Sequence, residues 1–210
     1  MSAREDASAG TLGHYSRNAD GFRAGTWDHD VSQNIEALLD ALSMRRGPAG
    51  NGPFSILDFG CGPGRDLVTL SRLGQEAVGL DGTEEFVRMA REASGCEVLH
   101  QDFVNLDLPA QRFDGVFANA SLFHVPSAAL PRVLAQLRDA LKPGGILFSS
   151  NPRGEDVEGW SGERYGVWHS LEGWRRYLDA AGFVELRHYY RPDGLPREQQ
   201  PWLASVWQKI

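Results

Sequence analysis

Short apolar runs of strand length alternate with segments of helical periodicity through much of this 210-residue chain. The runs lie at residues 56–59, 77–80, 113–118 and 146–148. Between them, apolar side chains recur every three or four positions, as in residues 86–93, which is the spacing of a helix with one buried face. Alternating strands and helices predict an α/β fold, in which helices cover both faces of a parallel sheet.

The two ends of the chain carry different patterns. Residues 1–13 are rich in Ser, Ala, Gly and charged side chains, which predicts a mobile N-terminal tail. Residues 14–50 hold aromatic side chains followed by one amphipathic helix, and we expect them to form a lid and a helix. Residues 51–210 form the core, so lid and core together make a single domain. Two short strands, in the stretch from 184 to 207, are expected to close the chain.

Three closely spaced glycines, Gly60, Gly62 and Gly64, follow the first apolar run. Glycines at this spacing let the backbone turn sharply and let a ligand lie against bare main chain. The next segment is helical in pattern, so its free amide N–H groups would face that ligand. About twenty residues further on, the second apolar run ends at Asp81, from which an acid can accept hydrogen bonds from a ribose diol. The segment predicts the nucleoside-binding half of an α/β fold.

The glycine spacing distinguishes between two kinds of nucleoside ligand. A dinucleotide-binding turn has the pattern G-x-G-x-x-G, whereas this chain has G-x-G-x-G, with Pro63 before the third glycine. The run resembles the first motif of class I S-adenosylmethionine-dependent methyltransferases. Four further segments resemble motifs of that family in the same order, at residues 79–82, 101–103, 113–120 and 141–148.

The resemblance implies a Rossmann-like, doubly wound sheet that is mostly parallel with an antiparallel last strand, and it implies S-adenosyl-L-methionine as the methyl donor. In that family the glycine turn packs against the methionine portion of the donor. Asp81 would hold the ribose, and Asp102 with Phe103 would hold the adenine. The donor-binding residues implied are Asp58, Gly60, Cys61, Gly62, Gly64, Asp81, Gly82, Asp102, Phe103 and Asn119. For Asp58, the alternative to donor binding is a hydrogen bond to the backbone of the glycine loop. For Cys61, the alternative is that its small side chain fills space within the turn.

Methyl transfer from a sulfonium depends mainly on positioning and on the exclusion of water, because the donor is already activated. A general base is needed only when the acceptor is protonated at the working pH. His124 follows the fourth strand at the cleft and is a candidate base or orienting group, with packing as the alternative. Tyr15 lies in a segment that resembles the N-terminal donor cover of the family, and its hydroxyl is the second catalytic candidate. Packing against the first helix is the alternative for Tyr15.

Aromatic side chains are concentrated in two segments outside these motifs. Residues 151–170 form a long connection between a strand and a helix, and connections of this length are often functional. An aromatic cage around a planar ring or a cationic amine is one interpretation, and filling of the core beside the sheet is the other. The predicted acceptor-binding residues are Trp27, His29, Trp160, Tyr165 and Trp168. No metal site is predicted, since the neighbouring residues 27–30 cannot converge well on one ion.

Composition narrows the choice of partner. The chain has 28 acidic and 21 basic residues, a net charge of −7, whereas nucleic-acid enzymes usually present a basic face. We therefore expect a small-molecule acceptor and no nucleic acid. No run approaches the ~20 apolar residues of a membrane span, and the two cysteines form no disulfide framework, which indicates a cytoplasmic protein without membrane contact. No feature of the sequence sets an oligomeric state.

The leading interpretation is an enzyme that transfers the methyl group of S-adenosylmethionine to a nitrogen, oxygen or sulfur atom of a small molecule by in-line displacement. The alternatives are a nucleic-acid or protein methyltransferase and a non-catalytic S-adenosylmethionine-binding protein. Residues 119–122 read Asn-Ala-Ser-Leu, which departs from the Asp/Asn-Pro-Pro signature of adenine-modifying enzymes. The intact glycines and acids weigh against a non-catalytic protein, and the glycine spacing disfavours a nicotinamide oxidoreductase.

Overall fold

A computed structural model describes residues 3–47 and 50–210 of the protein, and this part of the chain contains nine strands. In chain order they are Ser55–Phe59 (β1), Glu76–Asp81 (β2), Val98–His100 (β3), Phe113–Asn119 (β4), Leu141–Pro152 (β5), Val157–Ser161 (β6), Arg164–Trp168 (β7), Phe183–Arg191 (β8) and Trp202–Lys209 (β9). Seven of them form one sheet in the order β3-β2-β1-β4-β5-β9-β8, and β6 pairs with β7 in a separate hairpin.

The sheet is parallel from β3 through β5. Strand β9 runs antiparallel to both of its neighbours, β5 and β8, and lies between them. This confirms the prediction of a doubly wound, mostly parallel sheet with an antiparallel last strand. The central strands are buried on both sides because helices cover both faces.

Seven helices accompany the strands among the described residues. They are Ala3–Arg17 (α1), Ala19–Thr26 (α2), Ser32–Arg46 (α3), Arg65–Arg72 (α4), Glu84–Ser94 (α5), Leu130–Ala140 (α6) and Leu171–Ala180 (α7). Apolar side chains of α3, α4 and α5 share one buried cluster with the sheet, and those of α6 and α7 share the cluster on the opposite face. None of these helices is long and apolar enough to cross a bilayer.

The N-terminal segment differs from the mobile tail that its composition predicts. Residues 3–13 belong to helix α1, and residues 1 and 2 lie outside the described part of the chain. The small side chains of Ala7, Ser8 and Thr11 are buried. Small residues let the helix lie close to the core, and the burial comes from tertiary contacts that a composition-based argument does not detect.

The long connection between β5 and α7 is a β-hairpin. Strands β6 and β7 pair in register from Val157 opposite Trp168 to Ser161 opposite Arg164. Gly162, in the two-residue turn, has φ of 61°, a conformation that glycine adopts without strain. The hairpin packs against α1, so two elements outside the parallel core meet above the carboxyl ends of the central strands.

Candidate active site

In the glycine turn after β1, Gly60 and Gly64 are closely packed against neighbouring residues, whereas Gly62 has open space beside it. A Cβ atom on Gly60 would lie 2.4 Å from the Cβ of Ser121, and one on Gly64 would lie 2.7 Å from the Cα of Ala90. A Cβ atom on Gly62 would meet nothing nearer than Phe22, at 3.8 Å. All three glycines have positive φ. The first and third therefore hold the turn against the core, and Gly62 leaves bare main chain facing a cavity.

Asp81, at the tip of β2, is bound to this turn. Its Oδ2 accepts a hydrogen bond of 2.9 Å from the backbone N–H of Gly62, and its Oδ1 accepts one of 2.8 Å from that of Thr83. Burial raises the pKa of Asp81, while the backbone donors act in the opposite direction. The carboxylate lines the cavity, and each oxygen retains a lone pair for a further donor.

Asp102 and Phe103 lie beyond β3, next to Asp81 in the cavity wall. The hydroxyl of Ser8 on α1 contacts both carboxylate oxygens of Asp102, at 2.8 and 2.7 Å. Phe103 stacks on Phe59, with 4.3 Å between ring centroids. These contacts place α1 directly over the end of the cavity where the resemblance puts the adenine.

The cavity has a volume of about 800 Å³ and lies between the carboxyl ends of the central strands and helices α1 and α2. Its volume lies in the upper part of the ~300–1,000 Å³ range of ligand pockets. The structure brings together ten of the seventeen predicted site residues in its wall, namely Tyr15, His29, Gly60, Cys61, Gly62, Asp81, Asp102, Phe103, Asn119 and His124.

Three predicted donor-binding residues lie behind this wall. Asp58 is 1% exposed, and one of its carboxylate oxygens has no hydrogen-bond partner among the described residues. Burial, with Asp66 nearby, raises the pKa of Asp58 well above its usual range. Gly64 packs on Ala90, and Gly82 lies beneath Leu12 of α1. These residues support the wall without forming its surface.

Tyr15 and His124 form a hydrogen-bonded pair at the cavity surface. The Tyr15 hydroxyl lies 2.9 Å from Nε2 of His124, and Nδ1 of His124 lies 2.7 Å from the carbonyl oxygen of Tyr165. Because a carbonyl only accepts, Nδ1 carries the proton, Nε2 is the acceptor, and the Tyr15 hydroxyl donates. Burial lowers the pKa of His124 to about 4 and raises the pKa of Tyr15. The imidazole is therefore neutral near pH 7.

Most of the predicted acceptor-binding aromatics lie away from the cavity, and His29 is the exception. Trp160 packs over Gly10 of α1 and against the ring of Tyr165, and Trp168 lies against Gly154 and Gly166. Trp27 carries the guanidinium of Arg23 over its ring. Trp160 and Tyr165 are paired in the hairpin and their rings contact each other. Tyr165 reaches the site through its main-chain carbonyl, which binds His124.

A polar chain behind the cavity contains residues that sequence reasoning missed. Asn34 on α3 donates to Oδ1 of Asn119, and Nδ2 of Asn119 donates to Asp66, each at 3.0 Å. Arg65 binds the same Asp66 carboxylate at 2.6 and 2.9 Å. The adjacent charges of Arg65 and Asp66 after the glycine turn were a usable signal. Nothing in the sequence pairs Asn34 with Asn119, which is 85 residues away.

The cavity wall also contains other residues that sequence reasoning missed, among them Ser8, Arg164 and Arg191. They come from α1, the hairpin and β8, so only the tertiary fold brings them to one place. No group of side chains within the described residues has an arrangement suited to a metal ion.

Comparison with known proteins agrees with this architecture. The family model described as a methyltransferase domain matches residues 56–145. The ubiquinone biosynthesis O-methyltransferase of Xylella fastidiosa is 31% identical over 202 residues, which cover 86% of this chain and 80% of that protein. The trans-aconitate 2-methyltransferase of an Azoarcus species is 36% identical over 140 residues, which cover 62% of this chain and 53% of that protein. Several curated relatives are longer, and the chain matches about half of their length.

A solved structure gives an independent comparison of the fold. The 1,6-didemethyltoxoflavin-N1-methyltransferase of Burkholderia thailandensis, with bound 1,6-didemethyltoxoflavin and S-adenosylhomocysteine, has a TM-score of 0.72 and 21% identity. The match covers 100% of this chain and 92% of that chain. The sheet order, the glycine turn and the extent of these matches lead to one assignment. This chain belongs to the class I S-adenosylmethionine-dependent methyltransferases, whose methyl donor is S-adenosyl-L-methionine.

Proposed function

We propose that the protein transfers the methyl group of S-adenosylmethionine to a nucleophilic atom of a small molecule. The observation that carries the proposal is the single cavity wall that joins Gly62, Asp81 and Asp102 to the Tyr15–His124 pair. The first three residues lie where a nucleoside and its attached chain would bind. The pair lies in the same cavity, next to the end of β4, where the acceptor would approach the donor methyl group.

The donor-binding roles follow from the chemistry of the wall. The free lone pairs of Asp81 suit a ribose diol, and Asp102 beside the ring of Phe103 suits an adenine with its exocyclic amine. The bare main chain at Gly62 suits the methionine portion. Asp58, Gly64 and Gly82 lie behind the cavity wall. They would contribute indirectly, by shaping the glycine turn and the surface beneath α1.

Tyr15 would act as an oriented hydrogen-bond acceptor in the transfer. Its proton is donated to His124, and Nη1 of Arg164 lies 3.5 Å from its oxygen. One lone pair of the oxygen therefore remains available to the polarised C–H groups of a sulfonium methyl. Neutral His124 would position Tyr15 and would be a weak base. In the displacement, a lone pair of the acceptor forms the new bond to carbon, and the electrons of the C–S bond remain on sulfur.

The acceptor is proposed to be a small molecule because the cavity is enclosed by α1, α2 and the hairpin. The activities in the names of the reported proteins, in ubiquinone biosynthesis, on trans-aconitate and on 1,6-didemethyltoxoflavin, support the same class. A cytoplasmic location is proposed from the two cysteines, which are both free.

Isothermal titration calorimetry tests the donor site directly. We expect S-adenosylhomocysteine to bind and NAD not to bind, and we expect Asp81→Ala to weaken binding of the former by at least about tenfold. Asp107→Ala, on an exposed carboxylate outside the cavity, is the matched control. Binding of NAD in preference to S-adenosylhomocysteine would overturn the proposal. Donor turnover with small amines, thiols, phenols and acids then distinguishes an enzyme from a protein that only binds the donor.

A further inference from the structure

The charges of the cavity are distributed unequally between its two ends. Asp81 and Asp102 lie at the donor end, and both are engaged by the hydrogen bonds described above. Arg65 and Asp66 neutralise each other as an ion pair. Two further arginines, Arg164 from β7 and Arg191 from β8, also line the cavity. Arg164 lies beside Tyr15, where the acceptor is proposed to approach, and Arg191 lies beside Asp30.

Neither of these arginines contacts a carboxylate among the side chains that the structure describes. Nη1 of Arg164 lies 3.5 Å from the Tyr15 hydroxyl, with its guanidinium over the Tyr15 ring. Nη2 of Arg191 donates to the backbone carbonyl of Asp30 at 2.9 Å. Each guanidinium has five N–H donors, so most of the donors of both side chains remain available to a ligand.

The remaining acid among the described residues of the cavity wall is Asp30, and its carboxylate binds its own backbone. Its Oδ1 accepts a hydrogen bond of 2.9 Å from the N–H of Ser32, and the side chain is exposed. It therefore offsets only part of the positive charge. The bound donor would add the positive charge of its sulfonium to the same cavity.

We propose that the acceptor is a small organic acid, bound in its ionised form through Arg164 and Arg191. Guanidinium groups recognise carboxylates through paired, charge-assisted hydrogen bonds. The proposal rests on the proposed function, since it identifies the substrate class of the same site.

An ionised acid as acceptor also agrees with the absence of a strong general base in the Tyr15–His124 pair. A lone pair of a carboxylate oxygen can form the new C–O bond while the C–S bond breaks and its electrons stay on sulfur. The negative charge of the acid and the positive charge of the sulfonium cancel, so no proton has to move. The neutral Tyr15–His124 pair is then sufficient, and no stronger base is needed.

The test compares acids with their amides on the protein saturated with S-adenosylhomocysteine. Benzoate is matched with benzamide, and succinate with succinamide, because each pair differs mainly in charge. We expect at least one acid to bind ten or more times tighter than its amide by calorimetry. Arg164→Gln and Arg191→Gln should each weaken that acid by about tenfold and leave the affinity for S-adenosylhomocysteine within about twofold.

Arg176→Gln is the matched control, because Arg176 is an exposed arginine on α7 outside this cavity. Equal binding of acid and amide, or no binding of either acid at millimolar concentration, would overturn the proposal. So would a loss of S-adenosylhomocysteine affinity in the two variants, which would assign the arginines to the donor. Failure of the proposed function is seen separately, as absence of S-adenosylhomocysteine binding to the parent protein. In that case, titration of the unliganded protein with each acid and its amide would still test whether the two arginines bind a carboxylate.

Discussion

The hydroxyl of Ser8 on α1 is hydrogen-bonded to both carboxylate oxygens of Asp102, at the end of the third strand of the sheet. The two residues are 94 positions apart, and their contact fixes the N-terminal helix over one end of the cavity. Leu12, one turn further along α1, covers Gly82. The helix therefore closes the site by contacts with the residues that are proposed to bind the donor.

Ser8→Ala should loosen α1 without unfolding the core. A hydrogen bond to a charged group contributes about 1.5–3 kcal/mol, and partial exposure of this one reduces the expected effect to about 1–2 kcal/mol. Hydrogen exchange in residues 3–17 should then accelerate by about five- to thirtyfold, while the central strands keep their protection. Ser43→Ala is the control, because that hydroxyl bonds only to a carbonyl of its own helix. Unchanged exchange in α1 would show that Ser8 does not hold the helix down.

Gly62→Ala should remove donor binding at a modest loss of stability. The φ of 52° at Gly62 imposes a strain of about 1–2 kcal/mol on a residue with a Cβ atom, and the methyl group would point into the cavity. Gly74→Ala is a matched control, since Gly74 has φ of 78° with open space around its Cβ position and lies outside the site. Urea denaturation should give similar losses for the two variants, and calorimetry with S-adenosylhomocysteine should separate them. Retained affinity in Gly62→Ala would contradict the role proposed for this turn.

Gly64→Ala should destabilise the protein more than either Gly62→Ala or Gly74→Ala. Its Cβ atom would lie 2.7 Å from backbone of α5, where a rigid neighbour cannot move aside. Overpacking of this kind adds about 1–3 kcal/mol to the strain at positive φ. Urea denaturation should therefore show a larger loss of stability than for Gly62→Ala. A loss no larger than that of Gly74→Ala would mean that the α4–α5 contact adjusts more easily than the distances indicate.

The sequence predicted the parallel sheet and the donor end of the site because both depend on short-range signals. Residues 55–81 form one strand-turn-helix-strand unit, and the short spacing between its elements is enough to predict its geometry. The acceptor end depends on long-range contacts, such as Arg191 of β8 facing the same cavity as Tyr15, and no local pattern encodes these. The sequence predicts Trp160 in the acceptor pocket because it is large and aromatic. In the structure the pairing of the hairpin strands brings Trp160 against α1 instead.

Asn34→Leu should destabilise the protein although it replaces a polar residue in the core by an apolar one. Asn34 is fully buried, and it joins Asn119 to the hydroxyl of Tyr189, which donates to Asn34 Oδ1 at 2.9 Å. Leucine would remove this partner from two part-buried polar groups, the side-chain oxygen of Asn119 and the hydroxyl of Tyr189, at a cost of about 1–3 kcal/mol. Urea denaturation measures the loss. A double-mutant cycle with Tyr189→Phe should give a coupling energy above about 0.5 kcal/mol, and simple additivity would mean that the two side chains act independently.

The buried His124 should make stability depend on pH between about 4 and 6.5. Its pKa is lowered to about 4 in the folded protein by burial, against about 6.5 in an unfolded chain. In that interval the unfolded state binds more protons, so stability rises with pH, is fully present above about 6.5, and is lost as pH falls toward 4. Part of the imidazole edge reaches the cavity. We therefore expect His124 to contribute about 1–3 kcal/mol to the free energy of unfolding, which is less than the whole pKa shift would give. Urea denaturation at pH 4.5, 5.5 and 7 should show this slope in the parent and in Tyr15→Phe, which keeps the imidazole in place. His124→Asn should show a smaller slope than the parent, with a remainder from His169, whose pKa burial also lowers. An unchanged slope in that variant would assign the pH dependence to groups other than His124.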